Sequence, residues 1–136
     1  MLTWEQWRSK SAASLSAALN SLNSKDAAAT LNRAYYSSFQ MITCVLHKLH
    51  ATPPARGHWG HEGSQIQFYY TICRRNTSKR MQLLGMRIAF AQLRAWRVIA
   101  DYGDDSELTL ETAENLFAKA KSIVGLLNEL IERKEV

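Results

Sequence analysis

The 136-residue chain is poor in everything that interrupts or cross-links a helix. Its two prolines are adjacent, Pro53 and Pro54, and three of its six glycines fall in one loop, at 57, 60 and 63. Alternating runs of β-branched residues are missing, so no strand is expected. Without a strand, and without a G-x-x-x-x-G-K-S/T or G-x-G-x-x-G sequence, the chain has neither a P-loop nor a dinucleotide fingerprint. A G-x-S-x-G nucleophile elbow is absent, as is a Cys/His pair suited to covalent catalysis. The two cysteines, Cys44 and Cys73, lie far apart and form no C-x-x-C pair, which makes them small buried hydrophobes. No apolar run approaches the roughly 18 residues of a membrane span, and no signal segment is evident. The expected setting is the cytoplasm, away from membranes. Four histidines, at 47, 50, 58 and 61, have only Glu62 as a nearby carboxylate. That falls short of the usual zinc spacings, so no metal or other cofactor is expected.

What remains is rich in Ala and Leu and amounts to one domain's worth of residues, 1–136, enough for one core. The patterning predicts an all-α, up-and-down bundle of four long helices plus one short helix. Thr3 and Gln6 form a capping box that starts helix 1, which runs to about Leu22. Its Ser and Ala residues permit close packing on a neighbour. Ser24 is the expected cap of helix 2, which reaches about Ala51 before Thr52-Pro53-Pro54 stops it. A short helix from Ser64 to about Arg75 should turn Ile66, Phe68, Tyr69, Tyr70 and Ile72 inward. Helix 4 ends near Tyr102-Gly103, with Gly103 suited to a left-handed cap. A polar loop at 104–106 follows, then helix 5 from the Thr109 cap.

The formal net charge is +5 and the pI about 9.4, a balance that favours acidic partners such as nucleic acid. The charge is unevenly spread: Glu62 is the single acid between Lys48 and Arg97, and most acids follow Asp101. Helix 4 concentrates the asymmetry. Leu83, Arg87, Phe90, Arg94, Arg97 and Asp101 fall on one stripe, while the rest of its surface is nearly all apolar. Such a helix is expected at the centre of the bundle. Arg97 and Asp101 have the spacing of an ordinary helix ion pair, which leaves two cationic heads for another helix, a partner chain or a phosphate.

Helix 2 divides more sharply. Leu31, Tyr35, Phe39, Ile42 and Leu46 mark its apolar face, whereas Asn32, Arg33, Tyr36, Gln40, Thr43, His47 and His50 mark an arc of directional hydrogen-bonding groups. That arc is either a site lining or an exposed surface. The loop at 55–63 adds Arg56, His58, Trp59 and His61, which either contact a phosphate or base or fold the loop over the core. Arg74 to Arg80 form a basic turn, read first as solvated and second as a contact for an RNA backbone. A catalyst built from these residues would use Arg, His, Tyr and Asp on helices. RNA cleavage fits, with Arg stabilising the phosphorane and His or Tyr handling a proton.

Three short pieces carry a resemblance. Arg33-Ala34-Tyr35-Tyr36-Ser37-Ser38-Phe39 resembles the R-A-Y-Y-x-x-F signature of HEPN domains. His61-Glu62-Gly63 resembles that family's H-x-G at the opening of its third helix, and Arg97 to Tyr102 resembles its R-x-x-A-D-Y ending of the fourth. The resemblance implies a helical bundle that forms a homodimer with a cleft at the interface. It also implies a prokaryotic toxin–antitoxin or antiviral-defence setting, with a nucleotidyltransferase-like antitoxin or another defence protein as partner. Many members are metal-independent endoribonucleases with an Arg followed after four to six residues by His. Arg97 matches that Arg, but Asp101, Tyr102 and Gly103 stand where the histidine belongs.

The residues therefore admit three functions. The first is a module binding RNA, a nucleotide or a protein partner. The second is an endoribonuclease using Arg97, Asp101, Tyr102 and His61, with Arg33, Tyr36, Arg94 and His58 holding the ligand. The third is a structural subunit whose arginines pair with acids of helix 5 or of a second copy.

Overall fold

The computed structural model describes residues 1–103 and 107–136, so the expected loop at 104–106 lies outside the described residues. Five α-helices make up the fold: α1 (Trp4–Asn23), α2 (Ala27–Lys48), α3 (Gly60–Gln67), α4 (Arg80–Tyr102) and α5 (Leu110–Glu132). A π-helical segment, Phe68–Cys73, continues α3, and no strand occurs among the described residues. The all-α bundle of four long helices and one short one is as the patterning predicts.

Local chemistry sets the helix limits. The Thr3 capping box forms in full: Gln6 N–H donates to Thr3 Oγ1 at 3.2 Å and Thr3 N–H to Gln6 Oε1 at 2.8 Å. Ser24 does not cap α2. It closes α1 instead, its N–H donating to Asn20 O, and Lys25 then turns left-handed with φ of 60°. The N–H of Asp26 donates back to Ser21 O at 2.9 Å in a Schellman arrangement. Asp26 is also the cap of α2, its Oδ1 accepting from Ala29 N–H at 3.1 Å. His50, with φ of 59°, ends α2 in the same way, three residues before the first proline. The short helix begins at Gly60 rather than Ser64, because Gly60 takes a φ of 73° that a residue with a Cβ rarely adopts. Gly103, by contrast, is extended at φ −103° and supplies no left-handed cap.

The core corrects the expectation that α4 is central. That place belongs to α2, which packs against α1, α3, α4 and α5 and buries Leu31, Tyr35, Ile42 and Leu46 completely. On α4 only Leu83, Ala89, Phe90 and Leu93 are buried, whereas Met81, Ile88, Val98 and Tyr102 are exposed. Its apolar character all round reflects an outer face with no partner among the described residues. The π-helical segment explains a second departure. Widening the helix by one residue rotates the following side chains, so Ile72 is buried but Tyr70 is exposed; Ile66, on α3 before the segment, is exposed as well. Helix α5 faces the core with Ala113, Leu116, Ala120, Val124, Leu127 and Leu130.

The α1–α2 contact is close and partly polar. Ser11 Oγ donates to Ser37 O at 2.7 Å, and Ser14 Oγ lies 2.7 Å from the Gln40 amide. The polar arc of α2 is thus largely covered: Thr43 is fully buried, Asn32, Arg33, Tyr36, Gln40 and His47 are half-buried, and His50 at its end is exposed. The basic turn is anchored on the C-terminal end of the bundle, with Ser78 N–H donating to Glu135 at 2.7 Å and Lys79 pairing with Glu129 at 3.4 Å. The Ser78 hydrogen bonds hold the Glu135 carboxyl below its ordinary range. Both cysteines are buried, and burial pushes their thiols up to about 12, so neither is a nucleophile at neutral pH.

Because Asp26 closes one helix and opens the next, Asp26→Ala should cost about 1 kcal/mol. Urea denaturation followed by circular dichroism measures it, and an unchanged midpoint would show that the cap contributes nothing.

Candidate functional site

One end of the bundle gathers the polar residues of α2, the start of α3 and the last turns of α4. Arg97 is its centre. Its side chain is 14% exposed, and its Nε lies 2.9 Å from Asp101 Oδ2, one helical turn on. That N–H is not aligned for a hydrogen bond, so the contact is an ion pair held by charge. Its Nη2 donates to Tyr36 Oη at 3.2 Å, and the guanidinium lies over the rings of Tyr36 at 5.4 Å, Tyr102 at 5.9 Å and Tyr35 at 6.0 Å.

Asn32 links the two helices. Its Nδ2 reaches both oxygens of Asp101, at 3.4 and 3.5 Å, while its Oδ1 accepts from Arg33 Nε at 2.9 Å and Nη2 at 2.7 Å. Arg33 in turn lies 5.2 Å over the Tyr36 ring. A continuous chain therefore runs Arg33, Asn32, Asp101, Arg97, Tyr36.

The other arginines of the α4 stripe find uncharged partners. Arg94 donates through Nη1 to Gln65 Oε1, and Arg87 lies 4.3 Å over the Tyr69 ring. Among the described residues, only Arg97 of the three meets a carboxylate. The expectation that two cationic heads turn elsewhere resolves into contacts with α3 and its π-helical extension, and these partners carry no negative charge.

His61, at the start of α3, joins the cluster through Tyr35, whose Oη lies 2.7 Å from His61 Nδ1. Burial raises the Tyr35 pKa, so the phenol keeps its proton. The phenol and Nδ1 therefore share one hydrogen bond, whose direction is set by the tautomer of His61. Burial lowers the His61 pKa below 6.5, and Arg97, Arg94 and His58 lower it further. His58 is also lowered, by burial and by Arg56. Its Nδ1 accepts from Gly60 N–H at 3.1 Å. Both rings are neutral at physiological pH. His47 is engaged with Gly57 O at 2.9 Å, and no group of three potential metal ligands occurs among the described residues.

The chain matches the family model described as HEPN domain over residues 4–130. It belongs to the HEPN family. Neither curated proteins nor solved structures give a match. As a HEPN domain the chain is, in general terms, a module concerned with nucleotides or RNA. No helix among its described residues is long and apolar enough to cross a membrane.

In this HEPN domain Arg97, Asp101, Arg33 and Tyr36 share one network, and His61 and Arg94 adjoin it. Tyr102 is 78% exposed and touches the network only through the Arg97 guanidinium. His58 stands on the far side of His61, edge-on to Phe39 at 6.0 Å. Three participants escaped the reading of the sequence as site residues. Tyr35 counted only as core, although it lies within the R-A-Y-Y piece; Asn32 was one polar residue among seven on its arc; and Gln65 carried no signal at all.

The lowered histidine pKa values set a pH dependence. The unfolded chain binds protons more readily at these positions than the folded one. Stability is therefore unaffected well above pH 6.5 and falls as the pH drops through 6.5 toward the lower folded values. His61→Gln should lose less melting temperature than the wild type between about pH 7.5 and about pH 5.5. Equal losses in the two proteins would show that His61 does not report this burial.

Proposed function

We propose that this HEPN domain binds RNA or a nucleotide through the Arg97 cluster, as part of a prokaryotic toxin–antitoxin or antiviral-defence system. The observation that carries the reading is the charge balance of the cluster. Among the described residues Arg33, Arg94 and Arg97 converge there with Asp101 as the carboxylate, and the partners of Arg33 and Arg94 are the neutral amides of Asn32 and Gln65. A site left with surplus guanidinium charge, flanked by aromatic rings, suits a phosphate joined to a base. A nucleotidyltransferase-like antitoxin or another defence protein is the partner this setting implies.

Arg97→Ala should weaken binding of single-stranded RNA about tenfold or more, in line with loss of a charge-assisted hydrogen bond. Arg97→Lys should recover only part of it, since an ammonium lacks the planar fork. Fluorescence anisotropy with a labelled RNA measures both, and undiminished binding by Arg97→Ala would remove the cluster from the reading.

A second reading, a metal-independent endoribonuclease, has one observation in its favour. His61 reaches the Arg97 cluster from α3, where it faces the same Tyr35 and Tyr36 rings that Arg97 covers. An imidazole is thus near the arginine although none follows it in sequence. Incubation with total RNA in EDTA separates the readings: new discrete fragments that vanish in Arg97→Ala belong to the enzyme, and intact RNA to the binding module.

The same proposal includes a homodimer formed through the outer face of α4. Met81, Ile88, Ala95 and Tyr102 recur there every seven residues, with exposures of 79%, 65% and 78% for the three large ones. That is the spacing of a helix-pairing seam. Ile88→Glu should give a monomer by sedimentation equilibrium at concentrations where the wild type is dimeric. A dimer that survives the substitution would place the interface elsewhere.

A further inference from the structure

A cavity of about 460 Å³ opens beside His61, between the start of α1, the middle of α2 and the loop before α3. Its size is that of a small-ligand pocket. Five of its lining residues carry flat rings: Trp7, Tyr36, Phe39, His58 and His61; Lys10 and Gln40 add polar atoms, and no acid lines it. The rings come from α1, α2, α3 and the loop before α3, and meet chiefly edge-on. Trp7 and His58 are inclined at 73°, Phe39 and His58 at 73°, and Tyr36 and Phe39 at 78°. The pairs among them are edge-on or tilted rather than stacked. The indole of Trp7 is backed by His47, nearly parallel at 14°, which fixes its plane.

The electrostatics narrow the ligand. An aromatic cage for a quaternary ammonium needs walls without a competing cation, and Lys10 stands in this one. Both histidines are neutral at physiological pH because burial lowers their pKa. What remains is a set of uncharged π surfaces with one ammonium and one amide. Gln40 is held firmly: turned to suit its neighbours, its amide nitrogen lies 2.7 Å from Ser14 Oγ, 2.9 Å from Lys10 O and 3.1 Å from Tyr36 O. That orientation leaves its carbonyl oxygen to accept. Flat faces with a fixed acceptor and a donor at the rim are the recognition chemistry of a nucleobase.

The cavity is also continuous with the Arg97 cluster. Tyr36 and His61 belong to both, and Arg97 Nη2 donates to the Tyr36 hydroxyl. We infer that this cavity is a nucleobase subsite, taking one base of a bound RNA or nucleotide while its phosphate lies against the Arg97 cluster. This inference rests on the RNA or nucleotide reading above and adds where the base goes.

Single-stranded RNA hexamers, compared with an abasic ribose-phosphate hexamer of the same charge, test the two separately. A base in the cavity should make the RNA bind about tenfold tighter than the abasic chain. Trp7→Ala should reduce that gap to about twofold, whereas Trp7→Phe, which keeps a ring, should retain most of it. Wild-type protein provides a check that does not depend on how variants fold. A hexamer carrying 4-thiouridine, cross-linked by ultraviolet light, should label the peptides containing Trp7 or Phe39. Equal binding of RNA and abasic chain, with cross-links confined to other peptides, overturns the subsite while the binding reading stands. Failure of both oligonucleotides to bind overturns the two together.

Discussion

Tyr35 is fully buried, yet it carries a hydroxyl that must find a partner, and that requirement organises the functional end of the molecule. The partner is His61 Nδ1 at 2.7 Å, which draws the start of α3 onto α2. The ring itself lies nearly parallel to Phe90 of α4, at 9° and 5.7 Å between centroids, so one side chain joins three helices. Arg97 lies on α4 seven residues beyond Phe90, two turns along the same face, which is why its guanidinium comes to rest over the Tyr35 and Tyr36 rings. The position of the arginine is thus a consequence of core packing, and the position of the histidine is a consequence of the buried phenol.

The remaining polar contacts follow from how closely α1 approaches α2. Serines on α1 allow short separation, and each must then bond across the interface, Ser11 to Ser37 O and Ser14 to the Gln40 amide. This restrains Gln40 and, through it, the wall of the cavity that also contains Tyr36. On the opposite side of Tyr36, Asn32 ties α2 to Asp101 of α4. Successive turns of one helix therefore hold the cavity and the arginine cluster in register, and the central place of α2 in the core is what makes both rigid.

Much of the fold was legible because the chain is locally consistent. The Thr3 box, the 3.6-residue periodicity of α2 and α5 and the proline stop each point to one structure. The misread features share a cause, which is that backbone conformations unusual for their residue types leave no compositional mark. Lys25 and His50 take left-handed turns where glycine or asparagine is customary, and the π-helical segment at 68–73 turns Tyr70 outward. The centrality assigned to α4 failed for a different reason: an apolar stripe facing the core and one facing outward look alike in sequence. Of the site, the three motif pieces revealed the arginines and His61, but the pairing of Asp101 with Asn32, 69 positions away, is a property of the packed bundle.

Asp101 decides what kind of site this is. It occupies the region where the histidine of the endoribonuclease pattern is expected, and a carboxylate there does the reverse of what an imidazole would do. It holds Arg97 at 2.9 Å and fixes its position before any ligand arrives. Sinking a guanidinium to 14% exposure carries a desolvation cost, which an adjacent carboxylate offsets. Arg33 and Arg94 are more simply held by amides, which orient a guanidinium without cancelling its charge. Among the described residues the cluster therefore combines one arginine paired with a carboxylate and two held by neutral amides. That division favours holding a phosphate over moving a proton, since the one imidazole at hand, His61, is kept neutral by burial and by the same arginines. A phosphate bound beside it would reverse their influence and raise its pKa, so any proton transfer in this fold would be coupled to occupation of the arginine cluster.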